Sequence, residues 1–375
     1  MQKKLSVKKT VGLTDFVKYE RLILCLSLIF LLLIFSKTPS ENIRRSLKLC
    51  YTTVIPSVFP FMVISSLMIN LGAHKTLGRL FHLPIRAIFG CSPNAVSSVI
   101  LGFLCGFPIG ASSAASLFDK NQISKGEFER LLIYVNNPGA AFVIGGIGLT
   151  LFNSAKVGRI IYLSVILSAV IAGIISRFVY SKDEAIKGDG SEKEAYIMSF
   201  SSAVTSSLAD SSINMLNVCG CVLFFSVPVG IISEIIGEAQ IPLIILPFLS
   251  SVFEISGGVS ATASLKTPLV SIMLCAFACS WSGLSVHLQV FSVCRGRGIS
   301  FSPYVISKLL QSLLSPILVF LYFKLFNGDS ELSFSPDENQ ILANSSARRV
   351  IFSLFFISLI FILFKKRHKD GTPER

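Results

Sequence analysis

Glu254 is the residue best placed to do chemistry in this chain. It stands in the run Ala239 to Leu265, which holds no other charge, and is followed by Ile255, Ser256, Gly257 and Gly258. A carboxylate at membrane depth costs several kcal/mol unless it is paired or hydrated, so its default reading is a proton or sodium site, or a contact to a solute. A hairpin that begins later along the chain would instead leave Glu254 at the wet surface. His287, six residues past Trp281, is the other titratable group at depth. It reads either as a proton-coupling partner or as a histidine hydrogen-bonded in a helix interface. Asn136 and Asn137 precede Pro138 and Gly139 and offer amides that donate to carboxylates without adding charge. The turns around Gly106, Pro108 and Gly110, and around Ser280 and Ser282, expose backbone N–H groups and hydroxyls where half-helix N-termini carry partial positive charge. Both features suit a small anion. Trp281 can stack on a planar ring or pack in a core. Ser112, Ser113, Ser116, Ser260 and Ser264 read as the small residues of close helix packing.

These groups matter only if the chain carries them into a bilayer, and its composition does so. Of 375 residues 52% are hydrophobic, and charge-free runs of 15 to 32 residues recur, which defines a polytopic all-α membrane protein. The net charge of +13 gathers partly at the ends, in Lys3, Lys4, Lys8 and Lys9 and again in Lys365, Lys366, Arg367 and Lys369. That pattern fits the positive-inside rule and points away from nucleic acid. The nine cysteines lie in apolar runs without metal or disulfide spacing and read as small buried hydrophobes. Neither a metal site nor a cofactor site is visible, and no catalytic motif or P-loop is present, so an enzyme or a primary pump is not expected.

The charge-free runs give about eight crossings: Leu22 to Ser36, Leu49 to Ala73, Leu131 to Ala155, Ile160 to Ser176, Ser211 to Ser233, Thr267 to Cys294, Leu309 to Phe323 and Val350 to Phe364. The first lacks a small-x-small cleavage site after it and is kept as a retained span. Two further runs, Ala87 to Phe118 and Ala239 to Leu265, read as re-entrant helical hairpins. The first of these is too long for one crossing and is broken by Gly102, Gly106, Pro108 and Gly110. An even count places both basic termini in the cytoplasm, with the connectors His74 to Arg86, Asp119 to Arg130 and Arg295 to Lys308 on that side.

Two halves share an order. GASSAASL at 110–117 matches GVSATASL at 258–265 at five of eight positions, and Pro60, Ile64 and Ser65 align with Pro228, Ile232 and Ser233 at one offset of 168. NNPG at 136–139 has its counterpart in SWSG at 280–283. The chain therefore divides into a basic N-terminus and first span (1–46), a first unit of span, hairpin, broken span and span (47–176), a polar cytoplasmic linker (177–210), a second unit (211–323), and an extracytoplasmic loop, last span and basic tail (324–375). Three crossings per unit make the second unit inverted with respect to the first. Broken elements then meet near the midplane around a solute.

The order IPSVFPFMVISSL (55–67), GFLCGFPIGA (102–111) and YVNNPGAAFVIGGIG (134–148) resembles the YlbJ (SpoVV) family of sporulation integral membrane proteins, over roughly Leu47 to Phe323. That family belongs to the nucleoside-recognition or gate-domain group and is similar in plan to concentrative nucleoside transporters. The resemblance implies transport of dipicolinic acid, a planar aromatic dicarboxylate, across the mother-cell membrane that surrounds the forespore. It points to the tip at Gly106 to Gly110, to Asn136 to Gly139, and to Glu254 to Gly258 with Ser280 to Gly283. The second unit departs from the pattern, with SWSG in place of NNPG. Nucleoside uptake, and a non-transporting scaffold in spore assembly, are the alternatives. The expected partners are a dipicolinate-like small molecule, the lipid bilayer, and a proton or sodium as coupling ion through Glu254 or His287. Oligomeric state is not legible.

Overall fold

The computed structural model of the chain describes residues 22–179, 198–238, 244–263 and 265–326, apart from positions 24, 28, 31, 35 and 36. The expected last span Val350 to Phe364, the basic tail and the middle of the polar linker lie outside the described residues. Among the described residues all regular structure is helical.

Helix α1 (Lys37–Leu49) passes through a π-helical turn (Cys50–Val54) into α2 (Ile55–Asn70). Helix α3 (Ala73–Phe89) is bounded by left-handed Gly72 and Gly90, buries His74, Gly78 and Phe89, and turns Leu83 outward. This segment was expected as a connector. Its Lys75, Arg79 and Arg86 instead lie on an amphipathic helix, and the hairpin behind it begins at Val96 rather than Ala87.

Helices α4 (Val96–Cys105) and α5 (Ile109–Asp119) run antiparallel from the turn at Gly106 to Pro108. Ser98 and Ser113 hydroxyls meet across the pair at 2.8 Å. Gly102 faces Gly110, where an added Cβ would come within 3.1 Å of the Gly102 Cα. Ser124 then caps α6 (Lys125–Val135) by accepting the Glu127 N–H at 3.1 Å. After four non-helical residues, Asn136 to Gly139, the chain resumes as a π-helix (Ala141–Leu149). Helix α7 (Ala155–Val179) closes this half.

Helix α8 (Phe200–Glu238) has 39 residues, or about 58 Å at 1.5 Å per residue. It takes in Phe200 to Asp210, expected as linker, while α7 takes in Arg177. A second antiparallel pair, α9 (Ile245–Phe253) and α10 (Ile255–Ala263), meets at Glu254. Helices α11 (Pro268–Trp281) and α12 (Gly283–Cys294) are separated by Ser282 alone, and α13 (Ser302–Phe326) follows. The succession of a helix, a helical pair, a broken helix and a long helix thus occurs twice.

Helices α6, α7, α11 and α13 pack on one another and form the main core, with Phe128, Leu131, Ile161, Val165, Ile272 and Tyr304 buried. Outward stripes are apolar as well: Leu163, Leu167, Ile174 and Phe178 on α7, and Leu309, Leu313, Ile317 and Phe320 on α13, are exposed. Such surfaces on both sides of a helix require lipid as their solvent. Among the described residues four segments are long and apolar enough to cross, Ala155–Val179, Phe200–Glu234, Pro268–Cys294 and Ser302–Phe326. The pair Ser40–Thr52 and Ile55–Asn70, bent by 52°, makes a fifth. The chain is therefore a multi-pass integral membrane protein. The described residues establish four to five of the eight expected spans, because α6 and the π-helix are interrupted and only a short piece (Cys25–Ile34) of the first is described.

Span ends also differ from the charge-free runs. Lys125, Glu127, Glu129 and Arg130 belong to α6, because its first turns reach the wet face. There Glu127 accepts from Ser92 N, Glu129 from Ser300 N, and Arg130 donates to the Gly90 carbonyl, at 2.6 to 2.9 Å. On the same face Arg297 donates from Nε and Nη2 to the two carboxylate oxygens of Asp119 at 2.8 and 2.6 Å, tying the end of α5 to the α12–α13 connector. The Asp119 carboxylate holds the Arg297 guanidinium above its ordinary value.

Two outcomes follow for stability. A Cβ at Gly102 or Gly110 would collide with the Val135 carbonyl, which is backbone and cannot swing away. Gly102→Val or Gly110→Val is expected to lower stability by about 2–3 kcal/mol, whereas Gly145→Ala, into open space, leaves it unchanged or higher. Thermal unfolding in detergent reads both. Asp119→Asn is expected to cost no more than about 1 kcal/mol, since Asp119 is 48% and Arg297 27% exposed, and less in high salt.

Candidate functional site

When a helix stops inside a membrane, its last carbonyls lose their partners and must find others within the protein. Helix α6 meets that demand one carbonyl at a time. Asn136 Nδ2 donates to the Leu132 carbonyl at 3.2 Å, and Asn137 Nδ2 to that of Tyr134 at 2.7 Å, since Pro138 has no N–H to offer. The Ile133 carbonyl accepts from Ser307 Oγ at 2.6 Å and Gln311 Nε2 at 2.7 Å, both from α13. Val135 O lies against Gly102 and Gly110.

The first hairpin tip docks on this break. Phe107 N donates to Asn137 O at 2.7 Å, and a Cβ at Gly139 would lie 2.6 Å from the Cys105 carbonyl. Gly106, at φ +83°, packs directly on the Gly139 backbone. Only glycine permits that approach with that backbone.

The second tip docks on the second break by another device. Glu254 is extended (φ −149°, ψ 128°), and its carboxylate turns back onto the start of α10. Oε1 accepts from Ser256 N at 2.8 Å and Oε2 from Gly257 N at 2.6 Å. The side chain is 2% exposed, which excludes the wet-surface reading. Gly283, at φ +73°, presses on the Glu254 backbone, where a Cβ would come within 3.0 Å. Trp281 Nε1 donates to the Val252 carbonyl at 3.0 Å. Gly258 lets α10 cross α9 at Ser251.

Both tips and the first break face one small central cavity of about 40 Å³, lined by Cys105, Phe107, Pro138, Gly139, Glu254 and Ser256 together with Ser285 and Gln289 of α12, the helix that leaves the second break. Val218 and Gln289 also line a neighbouring cavity of about 330 Å³ that includes Pro108. Asn214, Ser292 and Val293 join that cavity to a vestibule of about 670 Å³, which is lined by Ser112, Ser116, Asp119, Lys120, Asp210 and Arg297 among others. One stripe of α8 runs along all three, from Asp210 and Asn214 through Asn217 and Cys221 to Val218 and Val222.

Of the residues singled out from the sequence, Pro138, Gly139, Glu254 and Ser256 line the central cavity. Gly106, Gly110 and Gly258 serve the backbone approaches around it, Gly257 donates its N–H to Glu254, and Asn136 and Asn137, fully buried, hold α6's carbonyls. Ser282 (φ +73°) forms the second break and donates to the Cys279 carbonyl, while Ser280 Oγ is buried without a partner. His287 Nδ1 pairs with the Tyr304 hydroxyl at 3.0 Å, and its ring lies edge-on to Trp281, centroids 4.4 Å apart.

One expectation is corrected. The tip amides are not free: Ser256 and Gly257 N–H go to Glu254, Phe107 N–H to Asn137, and Ile109 and Gly110 N–H to the Gly106 carbonyl. Each tip closes its own donors because a buried amide cannot wait for a solute. The unpartnered groups at the cavity are Ser285 Oγ and Gln289 Oε1. Their spacing of four, which places both on one face of α12, is a signal visible in the sequence. Lys308 was also missed. It was placed in a cytoplasmic connector but is fully buried in α13.

No family model matches the chain. It is similar to the sporulation integral membrane protein YlbJ of Bacillus subtilis (strain 168), at 26% identity over 319 residues, 76% of this chain and 77% of that protein. A solved structure of CNTnw in an inward-facing substrate-bound state aligns with it at a TM-score of 0.41 and 12% identity, over 83% of this chain and 85% of the other. Through most of its length, then, the chain is similar to an integral membrane protein of sporulation.

Proposed function

We propose that the chain is a secondary transporter whose solute passes between the two hairpin tips, and that the solute is dipicolinic acid, carried across the mother-cell membrane around the forespore. The observation that carries the reading is the convergence of both tips, the first helix break and the helix that follows the second break on one cavity with one carboxylate, Glu254. Discontinuous helices in two oppositely directed units are the arrangement by which a membrane protein exposes a central site to each side in turn. Similarity to YlbJ supports the sporulation context, and the dipicolinate assignment is what the family resemblance of the sequence implies.

In this reading the units 47–176 and 211–323 are an inverted repeat, and the connectors around Asp119 and Arg297 face the cytoplasm with both termini. The vestibule then opens inward, and the 40 Å³ centre is the closed waist that must widen to admit a planar ring. Ser285 and Gln289 supply hydrogen bonds to the solute. Glu254 binds the coupling ion, since a bound anion beside a carboxylate needs a cation or a proton between them.

One observation favours a second reading. Among the described residues no lysine or arginine lines the central cavity, and its unpartnered groups are a hydroxyl and an amide oxygen beside the Glu254 carboxylate, a set that suits a neutral, donor-bearing solute such as a nucleoside.

Proteoliposomes decide among these. Uptake of radiolabelled dipicolinate, uncompeted by nucleosides, is expected. Competition by uridine or adenosine would favour the second reading, and neither uptake nor binding of either would favour a scaffold. Glu254→Gln keeps one acceptor for α10 and loses the charge, at about 1–2 kcal/mol of stability. It is expected to reach the membrane in normal amount while ion-driven uptake falls at least about tenfold, the change that about 1.4 kcal/mol produces. Wild-type accumulation in that variant would remove Glu254 from the coupling site.

A further inference from the structure

Lys308 has no part in the site described so far. It is 0% exposed within α13, and among the described residues it forms no ion pair. Its Nζ has a single long contact, 3.4 Å to Gln311 Oε1. A cation in that position is expensive and ordinarily marks function when it occurs inside a membrane segment.

Its surroundings define what it does. Ser307 and Gln311, on the same face of α13, both donate to the Ile133 carbonyl in the last turn of α6. On the other side α13 packs on α11, with Ser315 Oγ donating to the Ala276 carbonyl and Cys279, in α11's last turn, within electrostatic reach of Lys308. Helix α13 therefore packs on both half-helices that stop at the two breaks, α6 at Val135 and α11 at Trp281, and Lys308 sits in its buried stretch beside the contact with the end of α6. Each such end carries about half a negative charge. In discontinuous-helix transporters it is these ends that hold the coupling cation.

We propose that the Lys308 amine stands in for a metal cation at this point and is a second proton-binding group, beside Glu254, on which coupled transport depends. The proposal rests on the transporter reading and deepens it. A sodium ion must leave such a place bodily; an amine empties it by giving its proton to water on one side of the membrane and refills it by taking one from water on the other. Anion and proton then move together.

Among the described residues no acid is paired with Lys308 to hold the charge in place. From α11 the facing group is Cys279, and from α12 it is His287, which is bonded to Tyr304 of α13. From α6, Lys125 opens the helix, while Glu127, Glu129 and Arg130 are engaged with Ser92, Ser300 and Gly90. Helix α7 carries no acid, only Lys156 and Arg159 in its first turns and Arg177 in its last, the latter bonded to Ala87.

Purified protein tests this without any solute. Wild-type thermal unfolding is expected to be the same in sodium chloride as in choline chloride, whereas Lys308→Ala, which leaves the partial negative charge of the helix ends without a cation, is expected to melt lower and to be raised by sodium. In proteoliposomes wild type is expected to accumulate dipicolinate on a pH gradient and to ignore a sodium gradient. Lys308→Arg, which keeps the charge but cannot release the proton, is expected to fold, to exchange dipicolinate, and to lose accumulation. Stabilisation of wild type by sodium, or accumulation by Lys308→Arg equal to wild type, overturns the proposal. Absence of all dipicolinate transport by wild type counts against the function proposed above and leaves the sodium arm to judge Lys308.

Discussion

Backbone that leaves a helix inside a bilayer must be satisfied by the protein itself, and the architecture described above is arranged around that demand. The last turn of α6 gives up four carbonyls to the break at NNPG. Two are taken by the asparagine side chains of the break, one by a serine and a glutamine of α13, and the fourth lies under two glycines. An orphaned group at this depth costs several kcal/mol, and nothing in lipid can relieve it. The position of α13 against α6 and the small size of Gly102 and Gly110 are therefore conditions for the break to exist.

The two halves answer the same demand differently. In the first, tip and break are joined by backbone alone, Phe107 N to Asn137 O, with glycines allowing contact. In the second, a charged side chain replaces that bond: Glu254 caps its own helix, and the break shrinks to one residue, Ser282, held in a left-handed conformation that costs of order 1 kcal/mol. Charge-assisted bonds to two amides make this tip the more rigid while Glu254 is ionised, and the softer when it is not. The polar centre is thus asymmetric, although the succession of elements in the two halves is the same.

The sequence made the breaks legible because proline, glycine and paired asparagines are poor helix interior, and the tip at Gly106 and the break at Asn136 to Gly139 lie where those residues stand. The limits of the helices were less legible. Reading charge as the end of a span fails where charged residues occupy the wet first turns of a membrane helix, as in α6, and where a lysine is buried, as at position 308. The amphipathic α3 was hidden for the same reason. At the site, residue type identified Glu254 but not that its carboxylate faces its own helix, since a bond between residues two and three apart depends on a local backbone bend. Ser285 and Gln289 became meaningful only once the tip beside them was located.

Helix α8 shows what its length entails. The face that it turns toward the cavities begins with an aspartate, a serine and an asparagine and ends in two valines. In the proposed transport cycle, a solute moving along it would meet a wall that hydrates it at one end and strips water from it at the other. Dehydration would then be spread over several helical turns instead of falling at a single constriction, and a small rotation of this one helix would regrade the whole passage at once.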